Sequence, residues 1–308
     1  MRFPREPFDA NVYSRPKTEL LKPFVFFISA SILILQGCDI INPKEKEPAY
    51  LYIPAFTFQA NLNQGTSSEA ITEVWVYADD QSLGVFDLPA KIPILDLGTS
   101  NIRIFAGIKN NGISNTRIRY PFYAPFDTTL TISAFQVDTL IPHFSYYSLA
   151  VISEKGFESG NFFVQTGSNN GSFSVTNQND QVFEGNRSGW GHIDAGLTHL
   201  LYKDDENLFY QSGNNVFLEM DYSSNNIFSV GFITTTGGIT SKNVALIINP
   251  SSSGDGLSPV WKKIYIDFGY VLQQNPTAQF HELYIESIPA NTTTPVNIFL
   301  DNLKWVTW

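Results

Sequence analysis

The chain has 308 residues, with 19 Lys+Arg against 29 Asp+Glu, a net charge of −10 and a single cysteine. An acidic chain whose nearest approach to a basic stripe is Arg117 and Arg119 is unsuited to a nucleic-acid backbone, and one cysteine allows no internal disulfide. Stability must come from apolar burial; 25 Phe, 14 Tyr and 5 Trp can supply it, and the length favours two domains at about 150 residues each.

Residues 1–22 are net positive through Arg2, Arg5, Arg15, Lys17 and Lys22, and residues 24–35 are uncharged and mostly apolar. A stretch that short does not span a bilayer as a helix; it suits the h-region of a signal peptide. The following Leu35-Gln36-Gly37-Cys38 resembles the lipobox of bacterial lipoproteins. The resemblance implies that residues 1–37 are removed and that Cys38 is lipidated, palmitate included, and becomes the new N-terminus. It places the protein on a bacterial envelope membrane, expected to be the outer one, with the membrane face left open. Residues 38–49 are charged and proline-bearing, as a solvated tether would be.

From 50 to 140 short alternating segments are broken by turn residues, which predicts an all-β sandwich. Residues 71–78 set Ile71, Glu73, Trp75 and Tyr77 on one side and Thr72, Val74, Val76 and Ala78 on the other. A turn at Asp79-Asp80-Gln81 then returns the chain through Leu83-Gly84-Val85-Phe86 as a hairpin. This stretch, continuing to Ile108, resembles the small PEGA-like and immunoglobulin-like modules, which act as spacers or partner-binding units. The aromatic, proline-stiffened run from Arg117 to Phe126 suits either a contact surface or the cover of the sandwich's open end, and the second reading is favoured.

Residues 141–150 read as a linker, and 151–308 as a second sandwich with stronger alternation. Val216, Leu218, Met220 and Tyr222 face one way and Phe217, Glu219 and Asp221 the other. Ile264, Ile266 and Phe268 point inward while Lys263, Tyr265 and Asp267 point out; Leu283 and Ile285 are inward while Glu282, Tyr284 and Glu286 are outward. Three landmarks come in order: Phe157-Glu158-Ser159-Gly160, Gly185-Asn186-Arg187-Ser188-Gly189 and Phe299-Leu300-Asp301-Asn302-Leu303. Here the unit resembles the jelly-roll carbohydrate-binding modules. No cofactor is required by that resemblance, but it implies a structural Ca²⁺ held in part by Glu158 and Asp301, with the alternative that both carboxylates cap loops.

The outward face gives a candidate ligand-binding set: Tyr265, Tyr284, Glu219, Asp221, Asp267 and Glu286. Sugars offer C–H faces that stack on rings and hydroxyls that need paired partners, so tyrosines mixed with carboxylates fit them. A face merely kept soluble by charge is the alternative. Glu219-Met220-Asp221 also invites a concanavalin-like glycosidase, but the third acid of that pattern is absent, and His192, Asp194 and His199 make a poor zinc set. The sequence therefore predicts two β-sandwiches, immunoglobulin-like then jelly-roll, in a non-catalytic envelope lipoprotein that binds glycan or a protein partner. A structural or assembly subunit of an envelope complex is the alternative.

Overall fold

The computed structural model describes residues 46–308. The h-region and Cys38, with the lipidation expected there, lie outside the described residues. Among the described residues no helix is long and apolar enough to cross a membrane. Pro48–Trp308 form one compact unit of nearly all-β structure.

Ten strands build the first sandwich: β1 (Ala49–Ile53), β2 (Thr57–Phe58), β3 (Glu73–Ala78), β4 (Gln81–Asp87), β5 (Ala90–Ile94), β6 (Gly98–Lys109), β7 (Arg117–Arg119), β8 (Phe126–Ile132), β9 (Val137–Thr139) and β10 (His143–Phe144). One sheet has the order β5-β1-β9; the other runs β4-β3-β6-β7 with β8 also on β6; β10 pairs with β2. The hairpin between β3 and β4 turns on Asp79 and Asp80, with φ of 47° and 63°. Both central residues are thus left-handed, as a two-residue hairpin of this hand requires, and Asp is among the few side chains that tolerate it. Val74 and Val76 enter the core, as the alternation predicts.

The expected linker at 141–150 is instead part of this sandwich. Phe144 and Tyr146 are buried in its core, and His143 and Phe144 pair with Thr57 and Phe58. Two large aromatic side chains in such a short run gain too much from burial to stay in a solvated connection. The tether's C-terminal end also folds, since Ala49 is fully buried in β1.

The second sandwich comprises β11 (Val151–Lys155), β12 (Phe163–Gln165), β13 (Ser172–Thr176), β14 (Ser188–Ile193), β15 (Leu200–Asp204), β16 (Val216–Ser224), β17 (Phe228–Thr236), β18 (Ile239–Ile248), β19 (Lys262–Asp267), a short helix α1 (Gly269–Gln274), β20 (Phe280–Ser287) and β21 (Val296–Thr307). One sheet runs β13-β14-β21-β16-β19, with β11 also on β21, and the other runs β12-β15-β20-β17-β18. From β14 onward the chain passes repeatedly from one sheet to the other, the winding of a jelly roll. Leu218, Met220, Ile266, Leu283, Ile285 and Trp305 meet between the sheets. Phe232, Phe268 and Trp305 form a ring cluster there, with centroids 4.3 to 5.4 Å apart.

β16 is buried along its whole length. A strand buried on one face alternates; one buried on both does not. Its second face packs against the first sandwich, and the core of that sandwich accordingly includes Phe217, Tyr265 and Val306.

Candidate functional site

Where the sandwiches meet, the alternation of β16 aims Glu219 and Asp221 away from the jelly-roll core and into the junction. Glu219 is fully buried. Its Oε1 accepts from the Tyr120 hydroxyl at 2.8 Å, its Oε2 from the Tyr146 hydroxyl at 2.9 Å, and Lys263 Nζ stands 3.4 Å away. Asp221 accepts from the Ser68 hydroxyl at 2.9 Å and from the Asn302 amide at 3.0 Å. Lys304, also fully buried, donates to the Thr66 carbonyl and lies over the Tyr146 ring. The first sandwich thus covers this face with its aromatic run and with the long connection between β2 and β3.

Burial sets the titration of this cluster. It pushes the hydroxyls of Tyr120, Tyr123, Tyr146 and Tyr265 well above the usual tyrosine range, and the charge of Glu219 adds to the effect. Desolvation likewise raises Asp221, against the pull of Lys263, and lowers Lys304 to about 8.

The six expected ligand residues therefore do not form one exposed surface. Tyr265 is buried in the junction, where its hydroxyl accepts from the Ala70 N–H at 3.0 Å and shares a hydrogen bond with Tyr123. Glu219 and Asp221 lie beside it, also buried. Asp267 flanks the junction and accepts from the Gly269 N–H at 2.8 Å, fixing the turn into α1. Tyr284 and Glu286 belong to β20 in the opposite sheet. Tyr284 is fully buried on that sheet's outer side, against Gly231, and Glu286 is held by Lys242 at 2.6 Å and His199 at 2.9 Å. Alternation identifies a strand's two faces but not what covers the second, and here protein covers it. The clue in the sequence is Phe217 and Val306, large apolar residues in outward register.

Glu158 and Asp301 are both engaged by protein donors. Glu158 Oε1 accepts from the N–H groups of Asn186 at 2.7 Å and Arg187 at 3.0 Å, and these bonds hold its carboxyl below the usual range. Gly185, at φ 72°, lets that carboxylate approach where a Cβ would sit 2.3 Å from Oε1. Asp301 accepts from the Ser188 hydroxyl at 2.7 Å and the Asn302 N–H at 2.9 Å. Hydrogen bonding closes this loop as a cap would. Among the described residues no three His, Cys, Asp or Glu side chains stand close enough to share an ion. His192 bonds Asp194 and Asn297, and His199 bonds Glu286, so these histidines serve local structure.

Beside the buried cluster opens a cleft of about 750 Å³, walled by both sandwiches. The end of β6 supplies Lys109 and the tip after it Asn111 and Ile113; β18 and the turn after it supply Leu246, Ile247 and Pro250; β19 supplies Lys262 and Lys263. The backbone ties the walls together: Asn111 N–H donates to the Tyr265 carbonyl, and Asp267 N–H donates to the Asn111 side chain, both at 2.9 Å. These residues were not singled out from the sequence, because they come from three separated segments.

No family model matches the chain, and no curated protein matches it. Among solved structures it is similar to a carbohydrate-binding module of the β-sandwich superfamily studied for promiscuous specificity, at 15% identity over 85% of this chain and 99% of that one, TM-score 0.39. It is also similar to the K1 cleaved adhesin domain of Lys-gingipain from Porphyromonas gingivalis W83, at 12% identity over 50% of this chain and 97% of that one, TM-score 0.36. A family 29 carbohydrate-binding module variant complexed with mannohexaose matches at 13% over 51% of this chain and 92% of that one, TM-score 0.33. Likeness at this level assigns no ligand, and the fold described above rests on the strand pairing itself.

Proposed function

We propose that this protein is a non-catalytic binding protein that takes a saccharide in the cleft between its two sandwiches and is held on a bacterial envelope membrane by lipid on Cys38. The observation that carries the binding role is the cleft itself. Its volume of about 750 Å³ is in the range of small-molecule and oligosaccharide sites, it lies at an interface between sandwiches, and it mixes aliphatic walls with a few polar groups. Catalysis is disfavoured by the burial of Glu219 and Asp221, since each is hydrogen-bonded under the first sandwich and out of reach of a glycosidic bond.

The test is a glycan array probed with the full chain in mild detergent, followed by calorimetry on any hit. Binding abolished by Ile247→Trp, which fills the cleft from an exposed position, supports the reading; binding to no glycan overturns it. The anchor is tested separately: Cys38→Ser should move the protein into the soluble fraction, and unchanged membrane retention would mean that another element holds it.

An assembly role is the second reading. It is favoured by β18, an edge strand that leaves Ile239, Val244 and Ile247 exposed. Stable co-purification with an envelope protein, lost on Val244→Lys, would support it.

A further inference from the structure

We infer that the cleft selects an anionic saccharide, one whose ring carries a carboxylate or sulfate group, and this rests on the binding role proposed above. In a chain of net charge −10, not one residue lining the cleft is Asp or Glu, while three are lysines. Lys263 is already balanced from behind, with Glu219 at 3.4 Å and Asp221 at 3.8 Å. Lys109 and Lys262 have no ion pair among the described residues, so their two charges belong to the cleft.

Asn111 adds to the same bias. Its Oδ1 is taken by the Asp267 N–H at 2.9 Å, which fixes the amide's orientation and leaves its NH₂ group as a donor without a partner among the described residues. Two ammonium groups and this amide offer donors only, so the ligand they fit is rich in acceptors and negative. Beside them, Ile113, Leu246, Ile247 and Pro250 provide an aliphatic lining suited to the C–H face of a sugar ring rather than to a free inorganic anion. The acidic remainder of the chain repels polyanions, so a lining with lysines and no carboxylate favours an anionic ligand here over the surrounding surface.

The experiment compares polygalacturonate and chondroitin sulfate with neutral dextran and mannan, using the full chain in a non-ionic detergent at low salt and again at about 0.5 M NaCl, where screening is strong. The expected result is binding of an acidic polymer at least about tenfold tighter than of either neutral one, weakened by salt. Lys109→Gln with Lys262→Gln should reduce that binding about tenfold or more, while Lys91→Gln, on β5 and outside the cleft, leaves it unchanged. Neutral polymers bound as tightly as acidic ones, or acidic binding indifferent to the paired substitution, would overturn anion selectivity and leave saccharide binding standing. Binding to no polymer of either kind would overturn both.

Discussion

Glu219 shows how much a single side chain can depend on residues far away in sequence. Its two hydroxyl donors, Tyr120 and Tyr146, lie 99 and 73 positions off, and its counter-charge is Lys263 on the neighbouring strand. Removing one partner of a buried charge group leaves the others unpaired, and such losses typically cost about 3–5 kcal/mol. Glu219→Ala should therefore lower the unfolding free energy by about that much in urea titrations, and Tyr146→Phe by about 1.5–3 kcal/mol, the worth of a hydrogen bond to a charged group. A loss under about 1 kcal/mol for Glu219→Ala would mean that water already reaches this carboxylate. The alternation around Glu219, Asp221 and Tyr265 was legible in the sequence, and so was their shared face. What was not legible is that Tyr120, Tyr146 and Ser68 come down upon them, since no local pattern encodes a contact over such distances.

At the scale of the element, strand period was the readable signal and its interruptions were not. β21 pairs with β16 in a register that shifts between Glu219 and Asp221, where Asn302 takes φ 49°. This bulge inserts one extra residue, so that Asp301 and Lys304, three apart, both lie on the side of β21 turned away from the jelly-roll core, Asp301 toward Ser188 and Lys304 toward the first sandwich. Asn302 tolerates the left-handed backbone and also donates to Asp221 and Glu184. Asn302→Gly should keep the backbone and lose only the amide bonds, whereas Asn302→Val combines both losses and should cost more. Equal thermal midpoints for the two variants would show that the bulge relaxes without penalty. A second interruption falls at Gly231, where β17 shifts register against β18 and a Cβ would meet the Asn243 carbonyl oxygen at 2.1 Å and the Tyr284 ring at 2.7 Å. Gly231→Ala must push β17 and β18 apart, so a cost at or above the usual ~1–3 kcal/mol of overpacking is expected, with faster hydrogen exchange along β18 as its local mark.

For the molecule as a whole, buried titratable groups in and beside the junction should make stability a function of pH, with three limbs whose expected signs differ. Asp301 is pushed up to about 6 by desolvation, against the pull of Ser188 and two backbone N–H groups. Between roughly pH 4 and 6 the unfolded chain has shed a proton that the native state keeps, so this group's contribution to stability falls as pH rises through that window. Lys304, at about 8, gives the opposite slope: from there toward about 10 the unfolded chain holds a proton that the native state has released, and stability rises. Above about 10 the unfolded tyrosines ionise while Tyr120, Tyr123, Tyr146 and Tyr265 stay protonated in the junction, and stability falls again. Other carboxylates titrate alongside Asp301, so the readout is the difference between wild type and variant. Asp301→Asn should remove some of the fall between about pH 4 and 6, and Lys304→Met should flatten the rise between about 8 and 10. Because Lys304 and the four tyrosines sit between the two sandwiches, both should respond in one transition: tryptophan fluorescence of two variants, one keeping only Trp75 in β3 and the other only Trp305 in β21, should give coincident unfolding curves at every pH. Two separated transitions, or a wild-type profile flat from about pH 7 to 10, would mean that the sandwiches come apart before they unfold and that Lys304 meets water in the native state.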